Sequence, residues 1–382
     1  MAGSGSLSRY ENPKRPALRG RLLFACGLAL HRRFGRVRLW RRGCHGRNRQ
    51  LRVEPAAVSL KREQLLPMAT LLALTTIIPE LFTGSTPPVG FLNPGLLLFL
   101  FLGYGVAVLL IRELVIRWHC GILGLFFLGL AYSIFNEGLL AKTLILEKGL
   151  PVPSYDNYGY VLGISFPWAA GIGTWHACAS VMFPIVLTHH FFPNGRDEPW
   201  LNGKVALISG GLLILLGCAV FLGNSQKGIK GTFSQLAVLL AIMLVGFALA
   251  SRCKGEVLPG AASSPVRPLL LGLSVLLPFW GVAFLASARV PLVVFFLALV
   301  SIILGYAWVL KRRRWLAPPG LLFFAVGWYL HNAVQAAVIT GGPGRDPMRA
   351  FLTAALDGVI LLLLFRQIRR CAGKVNGPVA MN

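Results

Sequence analysis

Ten stretches of about 20 apolar residues recur from residue 65 onward, each long enough to cross the ~30 Å hydrocarbon core of a bilayer as a helix. Hydrocarbon offers a backbone no hydrogen bonds, so a spanning segment is a helix or a strand of a closed barrel. Barrel strands alternate apolar and polar residues, and these runs do not. The chain therefore reads as all-α, a polytopic transmembrane helical bundle. The spans fall near 65–83, 95–116, 121–145, 165–190, 205–223, 232–251, 268–288, 290–310, 319–340 and 350–366. With 55% hydrophobic and 13% charged residues, the composition leaves a soluble domain of this size too little polar surface.

Charge orients the bundle. After residue 57 the chain has 24 Lys and Arg. With the N-terminus in the cytoplasm, 17 of them fall on cytoplasmic segments and seven outside. That bias follows the positive-inside rule and places both termini in the cytoplasm of a multi-pass protein of the cell membrane. The net charge of +25 would suit nucleic acid. In the body, however, the charges lie between oily runs, so the partner is the lipid bilayer and no nucleic acid is expected. Seven scattered cysteines show no CxxC spacing, which argues against a disulfide framework or a zinc finger.

Residues 1–57 differ from the remainder, 58–382, which forms the polytopic membrane domain. They carry 14 Lys and Arg against two acids, and their nine-residue apolar run, "LLFACGLAL", is too short to span. Three readings stand: a disordered basic extension that touches anionic lipid, a targeting segment, or upstream sequence that is not translated natively. "SLKREQLLPMATLL" has the form of a natural start, two basic residues and then a span. Native synthesis is accordingly expected to begin at Val58, through a GTG codon, or at Met68.

Ionisable groups inside hydrocarbon are costly and mark functional candidates. Glu137, His176, His331 and Asp357 remain once interface charges are set aside, with Asn136, Asn332 and Gln335 as polar companions. Counting ~1.5 Å per residue brings Glu137, His176, His331 and Asp357 to similar depths on four spans. Each also has a structural reading. Glu137 can reach the outer interface or pair with Lys142, and His176 can hydrogen-bond a neighbouring helix among small residues. His331 can belong to a polar stripe with Trp328 and Gln335, and Asp357 can be a counter-charge. Arg112, Glu113, His119, His189 and His190 read as interfacial, and neighbouring Arg112 and Glu113 point about 100° apart.

Glu137, His176 and His331 are the catalytic candidates, with Asn332, Gln335 and Asp357 for substrate binding. One Glu and two His can hold Zn²⁺ with an open position for water. Without metal, Glu can act as general base with His as acid. The order of an acidic patch, a lone His and a later His with a polar residue four positions on resembles the CPBP (CAAX protease and bacteriocin-processing) intramembrane proteases. Their EExxxR, FxxxH and HxxxN motifs correspond to "NEGLLAK", "IGTWH" and "HNAVQ". Asn136 stands for the first Glu, Lys142 falls one position late, and Ile172 replaces Phe. "PELFTGSTPPVGFLNP" and "LLIRELVIRW" are similar to patches of uncharacterised prokaryotic polytopic proteins, a likeness that covers residues 65 to about 190 and implies no known activity. Three functions follow: an intramembrane hydrolase of CPBP type, a proton-coupled or small-solute transporter, and a structural or accessory membrane protein.

The charge bias predicts that a reporter fused to the C-terminus is active in the cytoplasm. A reporter active only outside would overturn the orientation, and Lys227 and Lys230 would then mark the misread loop.

Overall fold

A computed structural model of the chain describes residues 62–81, 85–223, 228–255, 266–315, 320–340 and 347–375, except for the side chains of 62, 334–340, 347, 349, 350, 368, 369 and 371–375. The basic extension 1–57 lies outside the described residues. Among the described residues the regular elements are helices apart from one two-stranded hairpin.

Each apolar run folds into a helix. In chain order these are α1 (Arg62–Leu81), α2 (Pro94–Trp118), α3 (Ile122–Leu140), α4 (Phe166–Phe191), α5 (Gly203–Leu222), α6 (Phe233–Arg252), α7 (Val266–Ser287) and α8 (Leu292–Arg312). They are followed by α9 (Gly320–Thr340) and α10 (Pro347–Val375). The first eight are long and apolar enough to cross a membrane, and the last two are helices of 21 and 29 residues.

Polar caps set several starts. Asn93 accepts from the amides of Gly95 and Leu96 ahead of α2, and Ser165 accepts from Trp168 N ahead of α4. Thr232 and Gln235 form a capping box at α6. Each cap satisfies amide donors that a helix start leaves open.

One expectation needs correction. The third span ends at Leu140 rather than 145, because Lys142 adopts a left-handed conformation (φ 59°) and residues 143–145 form a 3-10 turn. The 147–163 connection folds into a cap. Asp156 accepts from the amides of Gly149 and Leu150, both at 3.0 Å. The strands β1 (Tyr160–Val161) and β2 (Ile164–Ser165) pair antiparallel. The Tyr155 ring packs against Trp168 and Phe295, and the Tyr158 hydroxyl donates to Val290 O at 2.8 Å. Those bonds hold the cap to the α7–α8 connection.

α3 and α4 are buried over most of their length, whereas α5 to α8 keep most of their surface exposed. Leu207, Leu212 and Leu215 on α5 and Val293 and Leu297 on α8 are exposed, as lipid-facing positions require. The central pair meets through small residues. A Cβ on Gly129 would lie 2.6 Å from the Ala177 Cα, so only glycine permits this approach. The same device joins α7 to α9, where a Cβ on Gly272 would collide with the Phe324 carbonyl.

Gly129→Val is expected to push α3 off α4 and to destabilise the bundle by about 1–3 kcal/mol, the usual cost of overpacking. Thermal unfolding in detergent would show a lowered midpoint. An unchanged midpoint would mean that the two helices do not meet at Gly129.

Candidate functional site

Three helices depart from α geometry, and each does so at a polar residue. π-helical turns span Phe101–Val106 in α2, Ile134–Leu140 in α3 and His176–Met182 in α4. Such turns are rare and cluster at functional sites, because the extra residue re-aims side chains and loosens the backbone ladder. Here they carry Tyr104, Asn136 with Glu137, and His176.

Glu137 and His176 meet. The carboxylate Oε1 is 2.8 Å from His176 Nε2, and His176 Nδ1 is 2.8 Å from Ser180 Oγ. With Nε2–H donating to the carboxylate, Nδ1 is left to accept from the Ser180 hydroxyl, and both ring nitrogens are satisfied. The other carboxylate oxygen accepts from Thr143 Oγ1, which itself accepts from Trp168 Nε1 at 2.9 Å. Trp175 packs edge-on against the imidazole at 4.9 Å and Tyr132 at 5.8 Å. Glu137 is 9% exposed and His176 1%, so the pair sits in a low-dielectric setting where charge-assisted hydrogen bonds strengthen.

A cavity of about 1310 Å³ opens beside the pair. Glu137, His176, His331 and Asn332 all line it. His331 is held between the rings of Phe279 and Trp328, at 5.9 and 6.4 Å. Asn332 accepts from Trp175 Nε1 at 2.8 Å and donates to Trp328 O at 2.9 Å, tying α9 to α4 beside the imidazole. Asp357 is fully buried on α10, has no hydrogen-bond partner among the described residues, and is absent from the cavity wall. The Gln335 side chain lies outside the described residues.

Among the described residues no three His, Cys, Asp or Glu side chains are grouped to hold a metal ion. Glu137, His176 and His331 thus share a wall without forming a three-ligand set, and the zinc arrangement lacks its third donor. Lys142 does not pair with Glu137. Its ammonium donates to Gly223 O at 2.7 Å and Ile229 O at 3.0 Å, fastening the end of α5.

Glu80 escapes notice in the sequence, where "PELFTGSTPP" has the composition of a loop. The structure keeps it in the last turn of α1, buried, on the same cavity wall. Its carboxylate accepts from Thr86 Oγ1 at 2.6 Å and from the Tyr104 hydroxyl. The Tyr104 ring lies 6.1 Å from His176. Its only sequence signal was a carboxylate one residue inside an apolar run. Tyr155, from the cap, also lines the cavity, and burial pushes its phenol well above the usual range, so it is a neutral hydroxyl.

Arg112 and Glu113 pair, although neighbouring helix positions point about 100° apart. Arg112 Nη1 donates to Glu113 Oε1 at 2.8 Å, Nε donates to His189 Nε2 at 3.3 Å, and Nη2 donates to Arg196 O at 2.6 Å. The guanidinium stacks over Trp200 at 3.6 Å, and Trp200 N donates to Glu113 Oε1 at 2.8 Å. Together these contacts tie α2 to α4 and to the 192–202 loop, which makes this cluster a structural anchor. Arg112→Ala would remove the closest cation from the buried Glu113 carboxylate, leaving only Trp200 N and Arg117 Nη2 at 3.4 Å, and is expected to cost about 3–5 kcal/mol. Arg196→Ala, which keeps the backbone carbonyl, serves as control. Equal unfolding midpoints for the two variants would contradict the anchor.

A family described as an uncharacterized membrane protein family matches residues 69–334. The match is to that family and not to the CPBP proteases. No curated protein and no solved structure matches the chain.

Proposed function

The chain belongs to this uncharacterized membrane protein family, and from the geometry of its buried pair we propose that it is an intramembrane hydrolase. One observation carries the reading: a carboxylate and an imidazole in contact at 2.8 Å on the wall of a large cavity inside a membrane bundle. Glu137 acts as general base on a water in the cavity. The Nε2–H of His176 donates to the carboxylate and aims it, and Ser180 fixes the tautomer. His331, on the same wall, is the proton donor to the leaving group. The lining is largely apolar, with Phe279, Val282, Leu299 and Ile302 among its residues, so the substrate carries a lipid-soluble part.

A transporter reading draws on a different observation. Trp168, Thr143, Glu137, His176 and Ser180 form a continuous hydrogen-bonded series, a path along which Glu137 and His176 can pass a proton.

The purified protein, reconstituted in vesicles, would be assayed on peptide- and ester-linked lipids. Glu137→Gln should lower hydrolysis by about 10²–10⁴, the usual contribution of a general base. His331→Ala should slow turnover with little change in KM. Undiminished hydrolysis by Glu137→Gln would end the proposal. Proton-coupled flux that Glu137→Gln abolishes, without hydrolysis, would put the transporter in its place.

A further inference from the structure

The cavity does not stop at the acid–base pair. Glu137 and Ile122 both line it from α3, 15 residues apart. At ~1.5 Å per residue that is roughly 22 Å along the helix. On α8 the lining runs from Leu299 to Leu310 and Lys311, and continues to Arg314 just beyond the helix end. The cavity is therefore a long crevice, with Glu137 and His176 toward the cap and a basic mouth at the end of α8.

The mouth is strongly cationic. Lys311, Arg312, Arg313 and Arg314 are consecutive and all exposed, and none is in a salt bridge with another described residue. The Arg312 guanidinium lies over the Trp308 ring at 4.9 Å, an aromatic–basic pairing suited to the headgroup level. Clusters of Lys and Arg at a span end attract anionic headgroups, at about 1 kcal/mol per residue near the surface. Two of the four, Lys311 and Arg314, also line the crevice, so charge and apolar groove form one continuous surface.

We infer that this end of the crevice is a binding site for an anionic phospholipid. The phosphate sits against Lys311 and Arg314. One acyl chain lies in the groove between α7, α8 and α9, against Val275, Leu321 and Phe324. Length argues for this occupant. A lipid entering from the leaflet at the basic mouth reaches about 15 Å, half of the ~30 Å hydrocarbon thickness. Its chain ends short of Glu137 and His176 and leaves that end to another molecule. The inference is independent of the chemistry assigned to the pair.

The test uses the full chain purified in detergent and exposed to phosphatidylglycerol or phosphatidylcholine vesicles, each lipid with a photoactivatable group near its acyl terminus. Retained lipid is read by native mass spectrometry and labelled residues by peptide mapping. Phosphatidylglycerol should be retained about tenfold more than phosphatidylcholine, roughly the effect of 1.4 kcal/mol. Its label should fall on Val275, Ile302 or Trp328, the lining residues about 12–14 Å in from the mouth. Lys311→Gln with Arg314→Gln should abolish the preference, while Lys311→Arg with Arg314→Lys should keep it, which separates charge loss from misfolding. Glu137→Gln should leave retention unchanged and yet abolish hydrolysis, so failure of the lipid site and failure of the hydrolase reading are distinguishable. Equal retention of both lipids, or label confined to outward residues such as Val293 and Leu297, would overturn the inference.

Discussion

Hydrocarbon has no hydrogen bonds to give, and this constraint governs where most buried polar side chains of the bundle sit. A carboxylate or guanidinium within the bundle must find its partners in protein or bear the full cost of desolvation. The chain meets that demand with two separate networks. One surrounds Glu137 and His176 on α3 and α4. The other surrounds Arg112, Glu113 and His189 near the far ends of α2 and α4. His176 and His189 are 13 residues apart on α4, or about 20 Å along its axis, so one helix serves both.

The two networks differ in what they enclose. At Arg112, the donors go to Glu113, to His189 and to loop carbonyls. Such a network fixes a loop. At Glu137, the partners hold the carboxylate from one side and a cavity lies on the other. That combination of pre-oriented polar groups and open volume is what chemistry or proton transfer requires. The π-helical turns and the glycine approach at Gly129 belong to the same arrangement. Without glycine at 129 the α3 backbone would stand off Ala177, and the 2.8 Å contact between Glu137 and His176 would open.

The sequence carried the helices because their signal is local. Apolar length alone marks a span, and the expected and observed boundaries mostly agree within about three residues. The exceptions are the third span, which Lys142 ends early by adopting a left-handed conformation, and α10, which runs beyond the apolar stretch. Glu137 and His176 were legible as candidates for a similar reason, since an ionisable group within an oily run stands out one residue at a time. Glu80 was not, because its run ends in Pro, Gly and Ser that read as loop, and its burial depends on Thr86 and Tyr104 from beyond the helix.

What the sequence determined by itself is therefore the class of molecule, the order of its helices and a short set of polar residues that hydrocarbon would not tolerate alone. Which of these meet was decided by tertiary structure. Glu137 joins His176 and Thr143 rather than Lys142, Arg112 joins Glu113 despite the turn between neighbouring positions, and His331 shares the cavity without completing a metal set. The physical reason is that hydropathy records only the distance a segment travels through oil. The rotation of each helix about its axis is set by side-chain fit between distant parts of the chain, here by Gly129 against Ala177 and Gly272 against Phe324.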